Sequence, residues 1–234
     1  MRKRTKNSLS TFLLSAILVV GILLWQWANQ PPHAVSVDEV PAYSDSLYVV
    51  ISDNVPLFDN EDLVTRNYEF YSELDFLGRC GYAMACIGPE LMPTEERESI
   101  GHIKPSGWIQ AQYDFVEGKS LYNRSHLIGF QLTGENDNEK NLITGTRTFN
   151  AYGMLPFENM VADYIKETGN HVIYRVTPIY DGNNLVASGV QMEAMSVEDQ
   201  AQGICFHVYV YNVEPGVEID YATGESRLAQ NAAG

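Results

Sequence analysis

The chain has 234 residues, of which 45% are hydrophobic and 11% aromatic. A chain of this length and composition buries one sizeable core or two small ones, which excludes a predominantly disordered protein. The formal net charge of -15 combines 15 basic with 30 acidic residues. Nonspecific affinity of the whole surface for nucleic acid is therefore excluded, and a polyanionic substrate would need a local basic cleft.

The N-terminus carries a targeting signal. Four basic residues in the stretch 1–8 precede an apolar segment at 9–28, which has about the 20 residues that a membrane-spanning helix needs. Because a basic flank belongs on the cytoplasmic side, we predict a cytoplasmic flank at 1–8 and a signal anchor at 9–28. No clean small-x-small cleavage site follows, which favours a single-pass anchor over a cleaved signal and a secreted product. In both cases the rest of the chain lies outside the cytoplasm.

The three cysteines are sparse and far from zinc-finger spacing. Cys80 and Cys86 could form a disulfide in an exported protein, which leaves Cys205 unpaired. Cys205 and His207 have the same parity on a strand-like run, and strand geometry explains that spacing without a metal. A disulfide scaffold is therefore not what stabilises the domain.

Beyond the anchor, residues 29–46 are polar and contain proline, which predicts a tether. A single extracellular domain at 47–234 follows, with no further boundary. Within it, glycines argue against a helix at 68–87. The segment 92–100 has proline near its start and acids in its first turn, which predicts a short helix. The segment 107–116 is predicted to be extended.

The C-terminal half has the clearest periodicity. In the segment 156–169, apolar residues recur at i, i+3, i+4, i+7 and i+8, which predicts a helix that begins near Pro156 and ends at Gly169. Three strand-like runs follow at 171–180, 184–193 and 204–213, and a turn between the first two predicts an antiparallel meander. The fold class is therefore α+β, with a central antiparallel sheet and one long helix packed on it.

A lone histidine occurs in the stretch "SLYNRSHLI". The stretch predicts the end of a strand, with His126 where the chain leaves the sheet and Arg124 on the same strand face. A neutral imidazole can remove a proton from water, and a guanidinium can pair with a phosphate oxygen. Taken alone, Arg-x-His is a weak signal, and an ordinary surface or core histidine is the commoner explanation of it.

Two polar residues downstream indicate a sparse metal site. Glu158 follows Asn150 by eight residues, and if Asn150 begins the helix, both side chains face one cleft. Mg²⁺ prefers oxygen ligands and keeps several waters, so this carboxamide and carboxylate are suitable ligands. The alternative is that Asn150 is a helix N-cap and that the macrodipole favours Glu158 in the first turn.

The stretches "NRSHLI", "NEKNLITGTRTFN" and "MLPFENMVADYIKETGNHVIYRVTP" resemble the DNA/RNA non-specific endonucleases with a ββα-metal active site. Among them the chain is most similar to the DNA-entry nucleases and secreted DNases of Gram-positive bacteria. The resemblance covers about residues 47 to 226. It implies a ββα-metal nuclease fold in which a central antiparallel sheet packs against the active-site helix.

The resemblance also assigns roles to residues. His126 matches the general base, and Asn150 matches the metal-binding asparagine. Glu158 matches a further active-site position with catalytic and metal-binding roles, while Asn141 matches a substrate-binding one. Arg124 matches an arginine near the scissile phosphate, which gives it both catalytic and substrate-binding roles.

A looser match gives Arg79 of "LGRCGYA" a catalytic role, although a structural ion pair would explain this residue equally well. The chain also departs from the Asp-Arg-Gly-His signature of the family at two positions, Asn123 and Ser125. These departures leave the histidine and the arginine of the motif intact.

The function implied is hydrolysis of phosphodiester bonds in DNA, and in RNA as a second substrate, by a Mg²⁺-dependent endonuclease that leaves 5′-phosphates. Mn²⁺ is the alternative ion. Two other functions fit the sequence: a noncatalytic cell-surface DNA receptor with a degenerate nuclease fold, and a metal-dependent phosphodiesterase for small extracellular nucleotides. Cleavage of plasmid DNA distinguishes the first of these from an enzyme.

Overall fold

The computed structural model describes residues 11–17, 19–21 and 33–230. The chain divides into two units, 1–32 and 33–234, and in the first unit residues 11–17 and 19–21 are helical. No helix in these described ranges is long and apolar enough to cross a membrane. The predicted flank at 1–8 and much of the predicted anchor at 9–28 lie outside the described residues.

A six-stranded antiparallel sheet forms the centre of the second unit, with the strand order β1-β8-β7-β6-β3-β2. Two further antiparallel pairs, β4 with β5 and β9 with β10, lie outside this sheet. The strands are β1 Tyr48–Val50, β2 Tyr68–Tyr71, β3 Ala83–Ile87, β4 Tyr122–His126, β5 Leu142–Thr146, β6 Val172–Ile179, β7 Gly189–Ser196, β8 Cys205–Tyr211, β9 Val217–Ile219 and β10 Ser226–Leu228. The predicted meander of β6, β7 and β8 is confirmed.

In the second unit, one α-helix follows β4 and another follows β5. Helix α1 is a single turn, Phe130–Thr133, and helix α2 spans Leu155–Thr168. The predicted long helix is confirmed, since Gly169 ends it with a left-handed φ of 71° that a glycine adopts without strain. The apolar face of α2 packs with one face of the sheet and with the β4–β5 hairpin in the main hydrophobic core.

The opposite face of the sheet carries a row of buried polar residues, since side chains alternate between the faces of a strand. Arg175, Glu193 and His207 lie directly across from one another on β6, β7 and β8. The segments 33–41 and 55–58 cover this face through hydrogen bonds to Gln191, Glu193, Arg175, His207 and Tyr211. The described part of the predicted tether is therefore packed on the sheet.

One local prediction was wrong. The segment 92–100 contains no helix, because its acids have no apolar face with which to pack the segment as a helix. The prediction that glycines exclude a helix at 68–87 is confirmed, since the segment holds strands β2 and β3. Cys80, Cys86 and Cys205 are free, and the buried thiols of the first two donate to Leu142 O and Val64 O.

Candidate active site

A groove of about 620 Å³ runs along the β4–β5 hairpin and the start of α2. Its lining joins residues from the loop before the hairpin, both strand ends and the helix. The lining residues are Arg97, Ile100, Gln110, Ser120, Tyr122, Asn123, Arg124, His126, Gly129, Phe130, Gln131, Arg147, Asn150, Leu155 and Glu158. Three of these are arginines and only Glu158 is acidic, so the groove is locally basic in a strongly acidic chain.

His126 ends strand β4, as predicted, and its imidazole is buried with only 6% exposed. Arg97 Nη2 lies 3.3 Å from His126 Nδ1, and His126 Nε2 lies 3.1 Å from the carbonyl oxygen of Asn136. A guanidinium has no acceptor, so Nδ1 must accept and Nε2 must carry the proton that it donates to Asn136. The hydrogen bonds therefore fix the tautomer and leave the lone pair on Nδ1.

Burial lowers the pKa of His126 from 6.5 to about 4, since desolvation disfavours the imidazolium. The carbonyl of Asn136 opposes this shift, and the positive charge of Arg97 adds to it. At neutral pH the imidazole is consequently unprotonated at Nδ1, which is the state that a general base requires.

Arg124 is held rigidly at the edge of the groove. Its Nε donates to the carbonyl oxygen of Ile103, its Nη2 donates to that of Gly101 at 2.6 Å, and its guanidinium lies 4.2 Å from the ring centroid of Trp108. Backbone carbonyls neutralise no charge. Arg124 therefore keeps its full positive charge beside the groove in a fixed orientation.

Asn150 lies in a π-helical turn, Phe149–Met154, and not in the first turn of α2. The N-cap of α2 is Met154 and that of the turn is Thr148, so the alternative reading of Asn150 as a helix cap does not hold. The half-buried Asn150 side chain lines the groove. Single π-helical turns occur often at functional sites because they redirect a side chain.

Glu158 lies in the first turn of α2, and its carboxylate faces the groove beside Gly129. A Cβ at Gly129 would lie 2.7 Å from Glu158 Oε2, so the close approach requires glycine. Burial raises the pKa of Glu158 from 4.5 to about 7, whereas the backbone of Gly129 and the charge of Arg97 act in the opposite direction.

The groove contains suitable oxygen donors for a divalent cation. Within the described ranges, no group of three or more His, Cys, Asp or Glu side chains could hold a metal ion. The carboxamide of Asn150 and the carboxylate of Glu158 both line the groove. A hard cation that keeps several waters needs few protein ligands, and Mg²⁺ is such an ion. This donor set therefore fits Mg²⁺ and does not fit a closed structural site.

The position of Asn141 corrects its predicted role in substrate binding. Its side chain is completely buried and does not line the groove. Asn141 Oδ1 accepts from Ile128 N at 2.9 Å, and Nδ2 donates to Ile128 O at 3.0 Å. The carboxamide thus pairs with the backbone two residues after His126, so Asn141 fixes the course of the chain there and does not reach the groove.

Arg79 does not line the groove either, which corrects its looser assignment as a catalytic residue. Its Nε pairs with Asp75 at 2.7 Å, and its Nη1 donates to the carbonyl oxygens of Gly182 and Asn184. The guanidinium also lies over the ring of Tyr180. Arg79 therefore forms a structural ion pair, which was the alternative explanation of this residue from the sequence.

Two arginines of the groove escaped the sequence analysis. Arg97 lies in the segment wrongly predicted as a helix, 29 residues before the histidine that it contacts. Its neighbours in sequence are acidic, so nothing in the sequence indicated a basic site there. Arg147 follows β5 and precedes Asn150 by three residues. Lysine and arginine are scarce in this chain, so a basic residue next to a motif position was the signal that could have identified Arg147.

Comparisons with known proteins agree with this geometry. A model of the DNA/RNA non-specific endonucleases matches residues 60–198. NucA from Streptococcus agalactiae with magnesium ion bound is 26% identical, with a TM-score of 0.67 over 76% of this chain and 85% of NucA. The Sda1 nuclease with bound zinc ion is 28% identical, with a TM-score of 0.61 over 78% of this chain and 97% of Sda1.

The NucA structure with no metal bound is 24% identical and has a TM-score of 0.70 over 83% of this chain and 92% of NucA. This likeness concerns the fold alone, and it confirms the predicted ββα-metal nuclease architecture. The family match covers more than half of the chain. The chain belongs to the DNA/RNA non-specific endonuclease family, and it is an endonuclease.

Proposed function

We propose that the chain is a Mg²⁺-dependent endonuclease that hydrolyses DNA, and RNA as a second substrate, with little sequence preference. The observation that carries the proposal is the unprotonated Nδ1 of His126 in a groove that also contains a carboxamide, a carboxylate and three arginines. The bound metal in the NucA and Sda1 structures supports a divalent cation here.

His126 acts as the general base. Its Nδ1 takes a proton from water, the water oxygen attacks phosphorus, and the bond from phosphorus to the 3′ oxygen breaks. The 3′ oxygen takes a proton from solvent, so the products carry a 5′-phosphate and a 3′-hydroxyl. The carbonyl of Asn136 holds the ring through Nε2 during this transfer. Because Arg97 donates to Nδ1 without substrate, its guanidinium must turn to a phosphate oxygen before Nδ1 can accept from water.

Asn150 and Glu158 would hold the cation. When bound, Mg²⁺ would supply positive charge that stabilises the negative charge developing on the scissile phosphate. Arg97 and Arg124 donate to phosphate oxygens, where negative charge develops in the transition state. Arg124 needs no reorganisation for this role, since its position is fixed by two carbonyls and Trp108.

Two features support broad substrate choice. The charged groups of the groove suit phosphate, which is common to every nucleotide and carries no sequence information. The locally basic lining also offsets the acidic surface, because a cleft of one sign concentrates an oppositely charged substrate. We further propose that the N-terminal segment anchors the enzyme in the membrane with the catalytic domain outside the cell, or directs its secretion if the segment is cleaved.

The test is cleavage of supercoiled plasmid and of RNA by the full-length protein with Mg²⁺, with Mn²⁺ and with EDTA. We expect nicked and then fragmented DNA with either ion and no cleavage in EDTA. Asn150→Ala should lose activity without loss of stability, since Asn150 caps no helix. Retarded but intact plasmid in Mg²⁺ would contradict the enzymatic proposal and would favour a DNA receptor.

A further inference from the structure

Arg147 lines the groove but plays no part in the chemistry proposed above. Its side chain is 32% exposed, and both Nε and Nη2 donate to one oxygen of Glu117, at 3.3 and 3.1 Å. Tyr152 donates to the same Glu117 oxygen at 2.8 Å. A carboxylate therefore occupies the phosphate-binding edge of this arginine.

The backbone on both sides of Arg147 is clamped, whereas its side chain is held only by an exposed partner. Thr146 N donates to Asn212 Oδ1, and Thr148 donates to Glu214 through both its N and its Oγ1. Glu117, in contrast, has a side chain that is 58% exposed. The position of the arginine is fixed and its partner is exchangeable, since exposed ion pairs contribute little to stability.

Arg147 and His126 lie at opposite ends of the β4–β5 hairpin. In the strand register His126 pairs with Leu142, whereas Tyr122 pairs with Thr146, which directly precedes Arg147. Four residues of β4 correspond to about 13 Å at about 3.3 Å per residue. A nucleic-acid helix carries one phosphate per strand for about every 3.4 Å of its axis, so a strand bound at His126 has further phosphates near Arg147.

We propose that Arg147 binds a backbone phosphate remote from the scissile one, and that Glu117 occupies Arg147 until the substrate displaces it. This inference rests on the proposed function, since it extends the path of the same substrate along the groove. A phosphate oxygen has the same charge sign as the carboxylate oxygen that it replaces, so it can accept the same two hydrogen bonds. Glu117 keeps its hydrogen bond from Tyr152 after the exchange.

Occupation by Glu117 also makes the site selective. A mononucleotide or dinucleotide at His126 cannot reach Arg147, and only a longer strand gains enough contacts to displace the carboxylate. The enzyme should therefore favour polymers over short fragments. The same feature argues against the small extracellular nucleotides that the sequence left open as substrates.

The inference is tested by binding in EDTA, where no cleavage occurs. The full-length protein is titrated with a labelled DNA strand of about 16 nucleotides, near the upper length of single-strand sites, and with a dinucleotide. Arg147→Ala should weaken binding of the long strand by about tenfold, and it should reduce the slope of log affinity against log salt by about 0.7. Glu117→Gln should tighten binding of the long strand. Arg147→Lys should restore part of the affinity.

The opposite signs of the two variants are decisive. If the Glu117–Arg147 pair only held a loop in place, losing either partner would change affinity in the same direction, and that result overturns the inference. An Arg147→Ala effect of equal size on the dinucleotide also overturns it. The unfolding midpoint of each variant shows whether it is folded. If Arg147→Ala does not fold, Arg147→Lys, which retains the charge, replaces it in the comparison.

Failure of the proposed function is recognised separately. If the wild-type protein binds the long strand with the predicted variant pattern yet cleaves nothing in Mg²⁺, the phosphate site stands and the enzymatic assignment does not. If the protein cleaves plasmid but both variants shift affinity in the same direction, the enzyme stands and the role of Arg147 does not.

Discussion

Two polar clusters in this domain contain the same kinds of side chain. The groove cluster consists of His126, Glu158, Arg97 and Asn150. The sheet cluster consists of His207, Glu193, Arg175 and Gln191, in which all four side chains are at least 99% buried. Each combines an imidazole, a carboxylate, a guanidinium and a carboxamide. Residue type alone therefore cannot tell an active site from a structural network.

The two clusters differ in what satisfies their polar groups. In the sheet cluster, Glu193 accepts from Arg175 Nε at 2.8 Å and from Leu57 N at 2.8 Å, and Gln191 also donates to it. His207 Nδ1 lies 2.8 Å from Val55 O. Side chains and the covering backbone thus satisfy most of this network internally, as a buried network requires.

In the groove cluster the same kinds of side chain line an open groove. Arg97 is the shared neighbour of His126 and Glu158, and its charge influences the pKa of both. Desolvation without a strong partner shifts the pKa of both groups, and such shifts are typical of catalytic positions. The comparison indicates that a position beside a groove, together with shifted pKa values, identifies the functional cluster.

The largest expected difference between the clusters is catalytic. His126→Ala should reduce cleavage by about 10²- to 10⁴-fold, since that is the usual contribution of a general base. His207→Ala should retain the specific activity of the folded protein. Plasmid cleavage rates, normalised to folded protein by circular dichroism, give both values. Activity of His126→Ala within a few-fold of wild type would remove His126 from the mechanism.

The next largest effect is on stability, and here the sheet cluster should be the more sensitive of the two clusters. Glu193→Gln leaves the charge of the buried Arg175 without its counterion, which typically costs about 3–5 kcal/mol. The matched control is Glu218→Gln, which breaks the exposed pair with Arg227 and should cost less than about 1 kcal/mol. Urea unfolding measures both free energies. Equal stability losses would show that the sheet cluster contributes no more than a surface pair.

Asn141 tests whether a buried residue can support the groove without lining it. Asn141→Ala leaves the N–H and C=O of Ile128 unpaired, which should cost about 1–3 kcal/mol of stability. It should also lower kcat with little change in KM, because the chain after His126 loses its support. Asn141→Asp keeps the acceptor and should lose less. A raised KM with unchanged stability would instead restore the predicted contact with substrate.

Local periodicity predicted the elements, whereas contacts distant in sequence escaped it. Helix α2 and the meander follow from spacings within one element, and His126 follows from a strand end. No such spacing encodes the π-helical turn that redirects Asn150, because it interrupts the helical period. Arg97 meets His126 only through tertiary packing. The row of Arg175, Glu193 and His207 needed the register of three strands, which the sequence does not supply.

The smallest expected effect is on the pH dependence of wild-type stability in EDTA, because two contributions from the groove oppose each other. The pKa of His126 falls from 6.5 to about 4 on folding. Between these values the unfolded chain binds the proton and the folded chain does not, so this group's contribution to stability rises with pH. The pKa of Glu158 rises from 4.5 to about 7. Between those values the folded chain keeps the proton, so this contribution falls with pH.

Single variants expose the two contributions separately. Glu158→Gln removes the contribution that falls with pH, so its stability relative to wild type should rise as the pH increases from about 4.5 to about 6.5. His126→Ala removes the contribution that rises with pH, so its stability relative to wild type should fall over the same interval. Urea unfolding at several pH values in EDTA gives both difference curves, in which the other carboxylates of the chain cancel. Curves of the same sign would mean that one of the two groups is not desolvated in the groove.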